Sequence, residues 1–270
     1  MTSLRRLLLV AIAVVAATVG TVPATATVAA AEPSNSAAEQ ELVRLLNAER
    51  AKAGLVAVRV DARLTAIARA RSADMVAKDY FSHQQPDGRN VFDLINAAGI
   101  AWYGAGEIIA WNNWPTLMDS AAQARNGWMA SPGHRAIVLS TTYNYVGIGL
   151  AVDPATGKKL WTGVFLKGPD RTGGWVQFRP VSDPGAVGSY RTVAFSWRGG
   201  DIQLPVLTAG FHHYQVQVRT DDGSWRALST ATTTTSRAIR AWTGHTYRLR
   251  VRACDRAGNC GSWVSQTLNA

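Results

Sequence analysis

The sequence predicts an α+β domain followed by an all-β domain, and three observations carry that prediction. Up to about residue 129, capped segments place apolar residues at helical spacing. Two apolar runs after residue 145 then flank a turn, as in a hairpin. Beyond residue 174 the pattern changes to short alternating strands separated by turn residues. The chain has 270 residues, 47% of them hydrophobic, which is enough for two domains with a core each.

The N-terminus comes first. Arg5 and Arg6 precede an uncharged apolar run from Leu7 to Val19. Ala24-Thr25-Ala26 and Ala29-Ala30-Ala31 both offer small-x-small cleavage patterns. This is the layout of a secretory signal peptide, placed at residues 1–31. The run is shorter than the ~20 apolar residues a spanning helix needs. No second apolar run follows, so the mature chain is expected to be secreted, extracellular and without a transmembrane segment; a monomer is expected.

The first domain is expected over residues 37–168. Ser36-Ala37-Ala38-Glu39 reads as a capping box that opens a helix to about Lys52, with Leu42, Leu45 and Leu46 on its stripe and Gly54 as the stop. Asp61 caps a second helix to about Lys78, with Leu64, Ile67, Ala68 and Met75 facing inward. A short third helix covers about Val91 to Ala98 and ends at Gly99. Thr116-Leu117-Met118-Asp119 starts a fourth, running to about Met129. Val146–Val152 and Leu160–Leu166 read as strands joined at Asp153-Pro154-Ala155-Thr156-Gly157. Residues 169–174 form the expected linker. The second domain, 175–270, has strand patterns at Thr192–Trp197, Tyr214–Val218, Ser224–Leu228 and Tyr247–Ala253, with Thr230–Ser236 as an edge strand or loop.

Charge is uneven between the two. Glu32 to Gly168 holds 14 Lys+Arg against 12 Asp+Glu, a net of +2; Pro169 to Ala270 holds 12 against 6, and all 12 cations are arginine. An excess of positive charge suits anionic partners such as wall or matrix polymers, and equally serves simple solubility. Nucleic acid is not expected as a partner, because no binding motif is present. The only cysteines, Cys254 and Cys260, read as a local disulfide that clips a hairpin. A metal pair is the alternative, but no partner pair at zinc spacing exists.

Two histidines occur before residue 169, His83 and His134, each inside a turn-rich motif: Phe81-Ser82-His83 with Pro86-Asp87-Gly88, and Ser131-Pro132-Gly133-His134. Between them lies Gly104-Ala105-Gly106-Glu107, beside Trp102, Tyr103, Trp111 and Trp114. Two imidazoles and a carboxylate can ligate a divalent metal such as zinc, act as general acid and base, or leave the glutamate to orient a histidine from behind. A satisfied structural role is the alternative, and spacing alone leaves all of these open. Pro132-Gly133 is expected to end the preceding helix sharply. The tryptophans read either as a stacking platform for a ligand or as packing around a loop-rich cleft. Ser82 and Ser131 are sequence neighbours of the histidines, which argues against a Ser–His nucleophile.

Taken in order, Phe81-Ser82-His83, Pro86-Asp87-Gly88, Gly106-Glu107-Ile108-Ile109-Ala110, Trp128 to Arg135 and Val146-Gly147-Ile148-Gly149 resemble the bacterial branch of the CAP superfamily, the cysteine-rich secretory, antigen 5 and pathogenesis-related-1 group. The resemblance covers roughly Glu39 to Gly168. It implies an α-β-α sandwich with a cleft lined by two histidines and acidic residues, three of whose positions match His83, Glu107 and His134. Ser131, Trp102 and Trp111 are placed at that cleft too. Eukaryotic members draw a second acid from the helix before the later histidine, where this chain has Ser131 or a nearby small residue. Relatives often carry Gln where Gly163 follows Trp161-Thr162, so an amide would be missing from the cleft floor. The group has no agreed catalytic activity, and its members bind lipids, sterols, metals or proteins.

The second domain resembles fibronectin type III, an immunoglobulin-like sandwich, at Ala194 to Trp197, His213 to Val218 and Thr246 to Asn259. Trp197 would be the buried strand tryptophan and Tyr247 the corner tyrosine. Arg248, Arg250 and Arg252 alternate, so they share one strand face. The expectation is a non-catalytic binder of a divalent metal or small apolar ligand, docked by its β-sandwich. A metal-dependent hydrolase acting on peptides or wall polymer through the same cleft is the alternative.

Overall fold

The computed structural model describes residues 34–183 and 188–270, so the leader expected at 1–31 lies outside the described residues. The first half is a helix–sheet–helix arrangement. Its strands β1 (Arg59–Val60), β2 (Gly104–Asn112), β3 (Tyr145–Val152) and β4 (Lys159–Lys167) form one sheet in the order β1-β3-β4-β2. On one face, α1 (Asn35–Lys52) and α4 (Leu117–Ala130) pack Leu42, Leu46, Ala121 and Trp128 on Ile108, Ile148, Trp161 and Phe165. On the other, α2 (Ala62–Ala77) and α3 (Val91–Ala97) pack Leu64, Ile67, Ala68 and Ile95 on Tyr145, Val164 and Leu166. The α+β class read from the pattern is the one observed. Among the described residues no helix is long and apolar enough to cross a membrane.

The helix starts follow capping chemistry. Asp61 accepts from Arg63 N and Thr116 from Asp119 N, as their sequence positions suggest. The start of α1 differs from expectation. Its cap is Ser34, which accepts from Ala37 N, and not Ser36. Glu39 lies on the inward stripe beside Ala38 and Leu42, where it accepts from Arg69 Nε at 2.9 Å and Leu150 N at 3.0 Å. Glu39 therefore ties helix to sheet and caps nothing.

Two strand glycines set how closely α2 lies on the sheet. A Cβ at Gly147 would come within 2.1 Å of the Leu64 carbonyl carbon, and one at Gly149 within 2.1 Å of Arg69 N. Only glycine permits that approach of helix backbone to strand.

The second half contains β5 (Trp175–Phe178), β6 (Tyr190–Gly200), β7 (Phe211–Thr220), β8 (Arg226–Thr232), β9 (Ser236–Trp242), β10 (Thr246–Asp255) and β11 (Val264–Asn269). They form two sheets, β5-β6-β9 and β11-β10-β7-β8. Val193, Phe195 and Trp197 of β6 share one core with Tyr214, Val216 and Val218 of β7 and Leu249, Val251 and Ala253 of β10. Period-two alternation along each strand sends these residues inward and their neighbours out. Cys254 and Cys260 are disulfide-bonded across the turn after β10. The Thr-rich tract spans the end of β8 and the start of β9.

The joining segment 169–174 packs closely. Asp170 O accepts from Asn259 Nδ2 at 3.1 Å, and a Cβ on Gly173 would lie 2.3 Å from Gly261 N. Leu204, on the β6–β7 connection, is buried in the same cluster as Leu64 and Ile67.

Candidate functional site

Strand β2 is among the elements that the sequence pattern missed, with β1, β5, β11 and the helix Pro132–Val138. Glycines at 104 and 106 and the polar end at Asn112 disguised a paired strand as cleft edge. Its register, Glu107 opposite Val164, turns Ile108 into the α1/α4 core and Glu107 toward α2. Glu107 is 8% exposed, and a buried carboxylate must find compensation.

It finds Arg71. This side chain occupies the inward stripe of α2, continuing Leu64, Ile67 and Ala68, and is fully buried. Arg71 Nε donates to Glu107 Oε1 at 2.9 Å. Its Nη1 donates to Tyr80 Oη at 2.7 Å, and its Nη2 to the carbonyls of Ser82 and His83 at 2.7 and 3.1 Å. One guanidinium thus fixes both the acid and the backbone that carries the first histidine. Tyr80 in turn donates to Asp74 Oδ2 at 2.6 Å. Burial, and then that bond, push the Tyr80 phenol up to about 12, so it keeps its proton.

His83 Nδ1 lies 2.7 Å from the other carboxylate oxygen, Glu107 Oε2. The carboxylate can only accept, so Nδ1 carries a proton, and in the neutral form of the ring Nε2 is the bare nitrogen. The ring is more than half exposed. His83, Asn90, Val91, Phe92, Gly106, Glu107 and Ile137 line a pocket of about 260 Å³. A Cβ at Gly106 would come 3.1 Å from Tyr143 Oη, so this glycine keeps the strand clear of the phenol.

His134 sits on α5 (Pro132–Val138). Pro132 does not simply stop a helix. α4 ends at Ala130, Ser131 joins the two helices, and Pro132 takes the first position of α5, where its missing N–H costs nothing. Burial lowers the pKa of His134, and the charge that His83 carries when protonated lowers it further. At neutral pH this favours a neutral, ligand-capable imidazole. The side-chain donors of His83, Glu107 and His134 do not all lie within 4.8 Å of one another. Glu107 holds His83 through Nδ1, and the three side chains do not ring a common point.

The remaining predicted residues are spread out. Trp102 stacks on Phe92 at a centroid distance of 6.0 Å and donates to Asn96, next to the pocket wall. Trp111 is exposed, lies 4.7 Å from Lys158 Nζ, and shares a different groove with Trp114, Gln123 and Gly127. Ser131 is the helix junction and does not line the His83 pocket. A side chain at Gly163 would meet Ile108 Cγ1 at 2.9 Å and Ile148 Cδ1 at 3.2 Å, in the α1/α4 core. An amide there would enter that core, so the cleft floor has lost nothing.

A second acidic set escaped sequence reading because its members are far apart in the chain. Asp170, Asp201 and Asp255 bring carboxylate oxygens within 4.8 Å of one another and could hold a metal ion. Burial raises the pKa of Asp201, and Asp170 and Asp255 push it further up.

Residues 43–165 match the family model described as CAP, cysteine-rich secretory protein family. The uncharacterized protein YkwD of Bacillus subtilis (strain 168) is 36% identical over 148 residues, covering 53% of this chain and 54% of that protein. The uncharacterized membrane protein YlbC of the same strain is 31% identical over 129 residues, covering 48% of this chain and 34% of that protein. The chain therefore spans about half the length, or less, of these curated relatives. An extracellular protein containing an SCP domain, from Bacillus anthracis str. Ames, aligns at 26% identity and a TM-score of 0.44, covering 49% of this chain and 41% of that one.

Proposed function

We propose, from the match of residues 43–165 to the CAP family model, that this chain is an exported, non-catalytic binding protein whose cleft takes a divalent metal or small ligand at His83 and His134. The observation that carries the reading is the commitment of both Glu107 oxygens, one to Arg71 and one to His83. A carboxylate held this way orients an imidazole and raises its donor strength. Each oxygen already holds a partner and the carboxylate is buried behind His83, which places it poorly to activate water and favours binding over metal-dependent hydrolysis.

Two imidazoles suit a metal such as zinc by their donor chemistry. His83 Nε2 and one nitrogen of His134 would hold it, leaving positions for water or a ligand. A bound zinc would polarise whatever occupies those positions. Glu107 fixes the tautomer of His83, and Arg71 fixes Glu107.

In this reading residues 1–31 are the signal peptide, 37–168 the CAP domain, 169–174 the connection and 175–270 a fibronectin type III-like module that attaches the protein to a surface. The strand order supports the last assignment. So does Tyr247 Oη, which accepts from Trp242 N at 3.0 Å, the bond of a tyrosine corner.

Calorimetric titration with zinc tests the proposal. The wild type should bind saturably with release of little or no proton, and His83→Ala/His134→Ala should give a flat trace. Equal traces from the two proteins would remove the cleft from consideration.

A further inference from the structure

The sheet β11-β10-β7-β8 turns one face into the core and the other outward. Gln215, Gln217 and Arg219 of β7 lie on the outward face, paired with Arg252, Arg250 and Arg248 of β10. The four strands contain one carboxylate, Asp255, and it is buried. Among the described residues none of these arginines makes an ion pair.

Two loop tryptophans, each preceded by Gly-Ser, lie over this face. Gly223-Ser224-Trp225 leads into β8, and Gly261-Ser262-Trp263 into β11. The Arg250 guanidinium is 4.1 Å from the Trp225 ring centre and 4.6 Å from that of Trp263. Arg252 lies 4.6 Å from Trp263, and Arg219 5.1 Å from Trp225. The result is a ladder in the order Arg219, Trp225, Arg250, Trp263, Arg252. Gln217 Oε1 accepts from Arg250 Nε at 2.9 Å, and Gln215 Oε1 from Arg252 Nε at 2.8 Å, which fixes the guanidinium planes. Arg219 Nε is buried with no partner.

Like charges held side by side without counter-ions are costly unless a ligand supplies them. Burial first, and the charges of Arg252 and Arg219 next, lower the Arg250 pKa, a sign of the same crowding. The indoles hold the planes by cation–π contact, so little rotamer freedom is left to lose on binding. Arg250 and Arg252 are two strand residues apart, about 7 Å. A single small anion cannot bridge that row, whereas a chain with a charge on each repeat can. Gln217 takes the Nε–Nη2 edge of Arg250, and the remaining Nη1–Nη2 edge matches a carboxylate. The indoles are half-buried against guanidinium faces, so no apolar side chain of the ladder projects as a membrane contact would require.

We propose that Arg219, Arg250 and Arg252, ordered by Trp225 and Trp263, form a binding surface for an anionic polysaccharide bearing carboxylates along its length. The proposal rests on the reading of residues 175–270 as a surface-attachment module and does not involve the His83 cleft.

The test is binding of the full chain to polygalacturonate oligomers, with neutral dextran and phosphatidylglycerol vesicles as the other two probes. The wild type should bind polygalacturonate with salt-sensitive affinity and bind neither of the others. Arg250→Gln/Arg252→Gln should lose about tenfold or more. Arg44→Gln/Arg237→Gln, which removes the same charge from other faces, should change affinity less than threefold. Arg250→Lys/Arg252→Lys keeps the charge but not the fork, and should fall between. Zinc titration of each variant separates this surface from the cleft, since it should be unchanged. Absence of wild-type binding, equal loss in the two Gln double variants, or preference for vesicles would each overturn the proposal.

Discussion

Replacing Arg71 with Met would expose how the cleft is built. The guanidinium is fully buried and gives four hydrogen bonds: to Glu107, Tyr80, Ser82 and His83. Arg71→Met keeps the length of the side chain and leaves Glu107 Oε1 and two carbonyls without donors. Breaking a buried pair from one side costs roughly 3–5 kcal/mol, because the surviving charge stays in low dielectric. A loss of about 4 kcal/mol corresponds to a fall in Tm on the order of 8–16 °C for a unit of this size. The assay is calorimetric and denaturant unfolding of the single variant, of Glu107→Leu and of the double variant. If the pair is a mutually compensating unit, Arg71→Met/Glu107→Leu should recover at least half of the loss, with a coupling energy of roughly 2 kcal/mol. A single-variant loss below about 1 kcal/mol, or strict additivity in the double variant, would refute the claim that Arg71 holds the acid.

Two further outcomes follow from the same packing. Gly147→Ala should cost about 3 kcal/mol or more in denaturant unfolding, because its Cβ meets α2 backbone at 2.1 Å. Gly127→Ala, in the open middle of α4, should instead stabilise by about 0.5–1 kcal/mol. Asp74 supplies a pH signature. Burial opposes its charge, but bonds from Gln85, Lys78 and Tyr80 outweigh that and hold its pKa well below the ordinary 3.8. Its contribution is thus complete above pH ~5 and fades as pH falls below 3.8. Asp74→Asn should be less stable than wild type by about 2 kcal/mol at pH 6, with a gap that narrows steadily toward pH 2.

The helices and the β3–β4 hairpin were legible because local chemistry specifies them. Asp61 and Thr116 cap where a cap residue precedes an apolar stripe. Asp153 to Gly157 closes a turn between two apolar runs. Strand β2 was not legible, since its core side chains begin after glycines and its partners on β4 lie 47 to 63 residues away, from Asn112–Lys159 to Gly104–Lys167. Ser34 and not Ser36 caps α1, and Glu39 is held inward by Arg69 and the Leu150 N–H, partners that the local sequence does not show. In the site, His83, Glu107 and His134 stood out by residue type. Arg71 did not, although a signal was present: an arginine on the apolar stripe of α2, at the spacing of Leu64 and Ile67. Gly163 was read as cleft floor when the alternation of β4 turns it into the opposite core. The Asp170, Asp201 and Asp255 set needed the folded chain to exist at all.

The most direct measurement is the nitrogen-15 spectrum of the five histidine rings, assigned with His83→Ala and His134→Ala, before and after addition of zinc. The account predicts that His83 carries its proton on Nδ1 at neutral pH and that zinc moves resonances of both His83 and His134 at one equivalent. A His83 ring protonated on Nε2 alone, or zinc shifts confined to histidines of the β-sandwich, would contradict it.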